Sequence, residues 1–110
     1  MLDARLYLAQ RLSALIMVPL VLGHLAVMVF AVHGGLTAAE ILERTRGSVF
    51  WFAFYGTFVL AVSVHAAIGM RSVVREWLSV TGVALSAITW GVGLVLVFLG
   101  ARAVTAVTGL

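Results

Sequence analysis

The chain has 110 residues, of which 64% are hydrophobic and only 10% charged. Soluble domains average about 45–50% apolar and about 25% charged residues, so this composition excludes that class. It equally excludes disorder, which needs low hydrophobicity and high charge. With no cysteine and one proline, there is no disulfide, no zinc–thiolate site and no iron–sulfur ligation within the chain. No internal repeat or linker composition is visible, and the whole reads as a single small membrane domain.

The net charge of +3 is carried by seven basic residues, all arginine: Arg5, Arg11, Arg44, Arg46, Arg71, Arg75 and Arg102. They form no run and fall between apolar segments. That pattern reads as topology signals, not as a phosphate-binding patch, and gives no nucleic-acid partner.

A hydrocarbon core of about 30 Å takes about 20 apolar residues as helix. Three stretches qualify, at 12–32, 49–70 and 77–100, and none contains Asp, Glu, Lys or Arg. Their length selects helix over barrel strand, because a strand crosses in about 9–11 residues. The fold expected is an all-α membrane protein with three transmembrane helices. The first stretch is too long for a signal h-region and lacks a small-x-small cleavage site, so it is read as retained.

Arg5, Arg11, Arg71 and Arg75 share one side of such a topology; Arg44, Arg46 and Arg102 share the other, with Glu40 and Glu43 beside them. The bias places the N-terminus in the cytoplasm and the C-terminus outside. Phe50, Trp51, Phe52 and Tyr55 then make an outer aromatic belt, with Trp77 at the inner interface. In the first loop, Thr37 to Glu40 reads as a capping box, Glu40 and Arg44 are spaced i,i+4, and Gly47 is a stop. A short surface helix is expected there. The second connection, around Arg71 to Trp77, makes a tight hairpin of helices two and three. Helix contacts are expected at small residues: Gly23, Gly56, Ala66, Gly69, Gly82, Gly91 and Gly93. No span carries a carboxylate, which argues against an independent transporter or enzyme.

Ionisable residues inside a span point to function, and here they are His24 and His65. At 1.5 Å per residue, His24 lies roughly 20 Å from the inner end at Arg11, and His65 roughly 9 Å from Arg71. That gap is too large for both imidazoles to ligate one haem iron. If both bind haem, there are two haems, each needing a partner histidine from another chain. Gly56 lies close to the level of His24, leaving clearance for a flat ring. Both histidines also admit a plainer role as hydrogen-bonding groups between helices. His33 falls at the outer interface beside Gly34 and Gly35 and reads as a solvated histidine.

Two segments carry a resemblance: Gln10-Arg11-Leu12-Ser13-Ala14 opening helix one, and His65-Ala66-Ala67-Ile68-Gly69-Met70-Arg71 closing helix two. With three spans, they resemble the membrane-anchor cytochrome b subunits of succinate dehydrogenase and fumarate reductase. That family opens helix one with His-Arg-x-Ser-Gly and closes helix two with His, three apolar residues, Gly, an apolar residue and Arg. Gln10 and Ala14 depart from it, and Gln10 cannot titrate as the family histidine does. The third helix matches only in character.

The resemblance implies an all-helical anchor, itself without the dicarboxylate active site, which lies in a flavoprotein partner. Electrons pass through an iron–sulfur partner to membrane quinone. It implies haem b, with His65 as proximal axial ligand. Di-haem members carry a further ligand on helix one, which implies His24 as distal axial ligand. Arg11, Arg71 and Ser13 are then placed at quinone or haem propionates. A second anchor subunit supplies the partner ligands, and the location is a bacterial cytoplasmic membrane. Alternatives are a haem-free anchor, a structural subunit of another membrane redox complex, or a di-haem cytochrome of a different dehydrogenase or hydrogenase.

Overall fold

The structure, a computed structural model, describes residues 2–110. Four helices follow one another: α1 (Leu2–Gly34), α2 (Ala38–Thr45), α3 (Val49–Leu78) and α4 (Gly82–Thr108). Three of them, α1, α3 and α4, are long and apolar enough to cross a membrane. No strand occurs among the described residues. In hydrocarbon every backbone N–H and C=O needs an internal partner, which a helix supplies from within one segment.

The first two long helices exceed their expected spans, and the third is displaced from 77–100 to Gly82–Thr108. α1, with 33 residues, reaches roughly 50 Å, well past a core of about 30 Å. The largest revision is in α3, which continues beyond Arg71 to Leu78. The hairpin turn therefore lies at residues 79–81, where Ser79 adopts a left-handed φ of 54°, and not at Arg71 to Trp77. The charges Arg71, Arg75 and Glu76 mark where apolar surface stops. They do not stop the helix, since Arg and Glu are good helix formers.

α3 packs between α1 and α4, which scarcely touch each other, while α2 rests on α4. The buried apolar residues are Ala31 of α1, Ala61, Ala67 and Val74 of α3, and Leu85 and Val104 of α4. Much of the remaining apolar surface faces outward: Trp77 is 82% exposed and Val83 86%. Such a surface suits lipid or partner helices, not water.

Small residues let the helix seams close. A Cβ on Gly100 would overlap the Val59 side chain, and one on Gly23 would lie 3.0 Å from the Phe54 ring. Gly93 meets Ala67 and Gly69 faces Gln10. Gly91 and Gly82, expected as contacts, have nothing within 4 Å; Gly82 belongs to the turn.

The α1–α3 loop is tied down from several directions. Thr37 caps α2, accepting from the Glu40 N–H. Its hydroxyl also donates to Glu40 Oε1 at 2.7 Å, so the carboxylate takes the hydroxyl instead of the backbone N–H of a full capping box. Arg44 Nη2 donates to the Gly35 carbonyl at 2.9 Å, in place of the expected pairing with Glu40. Gly35 has φ +129°, and a Cβ there would collide with the Glu40 carboxylate. α2 is then pinned to the end of α4: Thr45 Oγ1 donates to Val107 O at 2.5 Å, and the Gly47 N–H to Thr108 O at 2.7 Å. These bonds satisfy carbonyls that a helix end leaves without partners.

Gly100→Ala should loosen the α3–α4 seam, because Val59 is branched and cannot swing away cheaply. The expected cost is about 1–3 kcal/mol, read as a lower thermal transition in detergent. An unchanged transition would show that the seam tolerates the extra methyl.

Candidate functional site

Both membrane-embedded histidines point into the α1–α3 interface, at different levels. Near the α1 start, Ser13 is 5% exposed. Its hydroxyl donates to the Gln10 carbonyl at 2.9 Å, and its oxygen lies 3.4 Å from His65 Nδ1. With the Ser13 proton committed to Gln10, the pair is satisfied when His65 Nδ1 carries hydrogen. The free lone pair then sits on Nε2, the arrangement of a metal-ligating imidazole held by a hydrogen bond on its other nitrogen. The sequence placed Ser13 at quinone or propionate; here its contact is with the histidine itself.

His24 sits further along. Its ring meets Tyr55 and Phe58 edge-on, with centroids 6.1 and 5.3 Å away. Tyr55 and Phe58 precede His65 by ten and seven residues, so the two histidine levels differ by roughly 10–15 Å along α3. That spacing agrees with the separation inferred from sequence and rules out one iron between them within this chain. His24 Nδ1 is buried with no hydrogen-bond partner. The His24 residue also lines a cavity of about 330 Å³ whose walls include Ile41 and Thr45 of α2, Val59 of α3 and Val104 and Val107 of α4. A buried nitrogen without a hydrogen-bond partner costs free energy.

An added Cβ on Gly56 would meet nothing within 4 Å, so the helix contact expected there is not made. The space beside it belongs to a different cavity, with Phe52, Leu60, Val97 and Ala101, on the α4 side and away from His24. His33 is exposed and bonds the Val29 carbonyl at 2.9 Å, in keeping with an interfacial position.

The polar end of the bundle contains a cleft of about 510 Å³ between α1 and α3, lined by Leu6, Tyr7, Gln10, Ile68, Arg71, Ser72, Arg75 and Glu76. Arg71 was expected in such a role. Gln10 was seen only as a departure from a motif, yet its Oε1 is buried without a partner. Ser72, Arg75 and Glu76 were missed because the second span was ended at residue 70; with α3 extended to Leu78 their helical spacing brings them to one wall, and Tyr7 was missed because the first span was begun at residue 12. Arg11 does not line this cleft. It is exposed and donates to the Tyr7 hydroxyl at 3.0 Å, so it bears on the cleft through Tyr7.

Among the described residues no group of three or more His, Cys, Asp or Glu side chains could hold a bare metal ion. An axial haem ligand needs only a single imidazole from a chain, and His65 and His24 are the embedded imidazoles of this one.

No family model matches the chain, and no solved structure matches it. The chain is similar to the succinate dehydrogenase hydrophobic membrane anchor subunit of Archaeoglobus fulgidus. The two are 36% identical over 70 residues, 64% of this chain and 59% of that protein. The matched part of the relative is therefore about three-fifths of its length. With three apolar helices, the similarity supports a multi-pass membrane anchor.

Replacing Ser13 with Ala should release the His65 tautomer, while Ser13→Thr keeps the hydroxyl. Nitrogen NMR of ring-labelled histidine reads this directly: a shift toward the Nε2–H form is expected in the alanine variant alone. Identical spectra would remove Ser13 from that role.

Proposed function

We propose that this chain is a haem b-binding membrane-anchor subunit of a succinate:quinone oxidoreductase. The reading rests on one observation above all: a chain similar to a succinate dehydrogenase anchor holds His65 against Ser13 close to a polar cleft at one end of the bundle. Oxidation of the dicarboxylate belongs to a flavoprotein partner, and an iron–sulfur partner relays the electrons. Orientation follows the arginine bias, with the cleft on the cytoplasmic side of the cytoplasmic membrane, where the iron–sulfur partner docks.

His65 Nε2 would hold a proximal haem and His24 a distal one, each completed by an imidazole from a second anchor subunit. The haem iron supplies one-electron transfer, with a potential tuned by axial ligand, hydrogen bonds and burial. Ser13 fixes the His65 ring and its tautomer. The aromatic edges of Tyr55 and Phe58 fix the His24 ring.

The cleft suits a quinone headgroup. The Arg71 guanidinium donates to a quinone carbonyl oxygen, and its charge favours electron density building there. Gln10 also lines the cleft, and with its amide turned inward its Oε1 accepts from the hydroxyl of the reduced form, gaining a partner. Arg11 orients the Tyr7 hydroxyl on the opposite wall. The apolar wall of Leu6 and Ile68 excludes water from the ring.

Arg71→Leu in the assembled complex should lower succinate–quinone reductase activity at least tenfold while succinate–dye reduction by the soluble partners holds. A loss of about 1.4 kcal/mol corresponds to that factor, well within what a charge-assisted hydrogen bond contributes. Equal effects in both assays would contradict the assignment. His65→Ala should remove one b haem, measured by pyridine haemochrome, with membrane insertion intact; unchanged haem content would contradict it.

A further inference from the structure

A groove of about 370 Å³ lies between α3 and α4, lined on α3 by Ser63, Val64, Ala67 and Ile68 and on α4 by residues from Ser86 to Val97. It is continuous with the polar cleft. Leu6, Ile68 and Arg71 line both. From Ser86 to Val97 the groove runs roughly 16 Å along α4, away from the polar end and into the apolar part of the bundle. Its floor is shallow because Gly93 lies against Ala67, with 3.5 Å left for a Cβ. Its rim opens sideways: Trp90 is 70% exposed and Leu94 62%.

The two spaces together have the shape and polarity of one amphiphile. A head with hydrogen-bonding oxygens fits beside Arg71 and Gln10, and a long hydrocarbon chain fits the groove. Arg71 stands at the junction and has no hydrogen bond or ion pair among the described residues. Resting on the quinone reading of the cleft, we propose that the isoprenoid tail of the quinone lies in the α3–α4 groove, with Gly93 as the residue that keeps it open. The groove thereby sets specificity: it adds binding free energy for long-tailed quinones and none for tail-less ones, since buried apolar surface contributes in proportion to its area.

The test uses the detergent-purified, quinone-depleted complex, assayed with a tail-less quinone and a polyisoprenoid quinone. Gly93→Val fills the groove. It should raise KM for the polyisoprenoid substrate about tenfold, equal to about 1.4 kcal/mol, and leave the tail-less KM in place. Val97→Phe, further along the same wall, gives the same readout should Gly93→Val fail to assemble. Equal change for both quinones, or no change for either, overturns the tail assignment. Arg71→Leu, run alongside, separates the two claims. If it weakens both quinones while the groove variants discriminate neither, the cleft reading stands and the groove falls to bilayer lipid. If it affects neither quinone, the cleft reading fails too.

Discussion

Hydrocarbon offers polar groups no hydrogen bonds, and that constraint governs everything distinctive in this chain. It forces the backbone into long helices whose bonds are internal. It also makes each embedded polar side chain costly unless something answers it. Ser63 and Ser13 are almost wholly buried, and Ser13 spends its hydroxyl on a backbone carbonyl and a histidine. His24 Nδ1 and Gln10 Oε1 have no such answer. Both atoms belong to residues that line cavities among the described residues, His24 an apolar one and Gln10 the polar cleft.

The same constraint bears on the outer faces of the bundle. α3 has two neighbours, whereas α1 and α4 each have one long-helix partner. Most of the surface of α1 and α4 is apolar and open, so stability comes from the α3 seams, the α2 clamp and whatever covers the outer faces. Within the proposed complex, a second anchor subunit provides both that cover and the opposing imidazoles.

Much of the fold was legible from hydropathy and length. Three charge-free stretches announced three helices, and Thr37, Glu40 and Gly47 announced α2. The helix ends were less legible. Hydropathy reports where lipid contact ends, and helices carrying Arg71, Arg75 and Glu76 run on into the headgroup region. That error hid Ser72, Arg75 and Glu76 from the cleft. The histidine levels followed from rise per residue and agree with the rings that His24 meets. The side on which Gly56 opens did not follow, because its facing depends on how α4 docks against α3, and α4 is apolar nearly all round. The contact of Ser13 with His65 likewise needed the α1–α3 register. Glu40 and Arg44 had the spacing of an ion pair, yet local partners at Thr37 and Gly35 were closer at hand.

The central claim is that this chain anchors a succinate-oxidising complex. The most direct measurement is affinity purification of the tagged chain from native membranes in mild detergent, with subunit identification and assay of succinate–dye reductase in the eluate. A flavoprotein, an iron–sulfur protein and a second small membrane subunit should elute in stoichiometric amounts, with the activity following the tag. A chain that elutes without a flavoprotein and without that activity would contradict the claim.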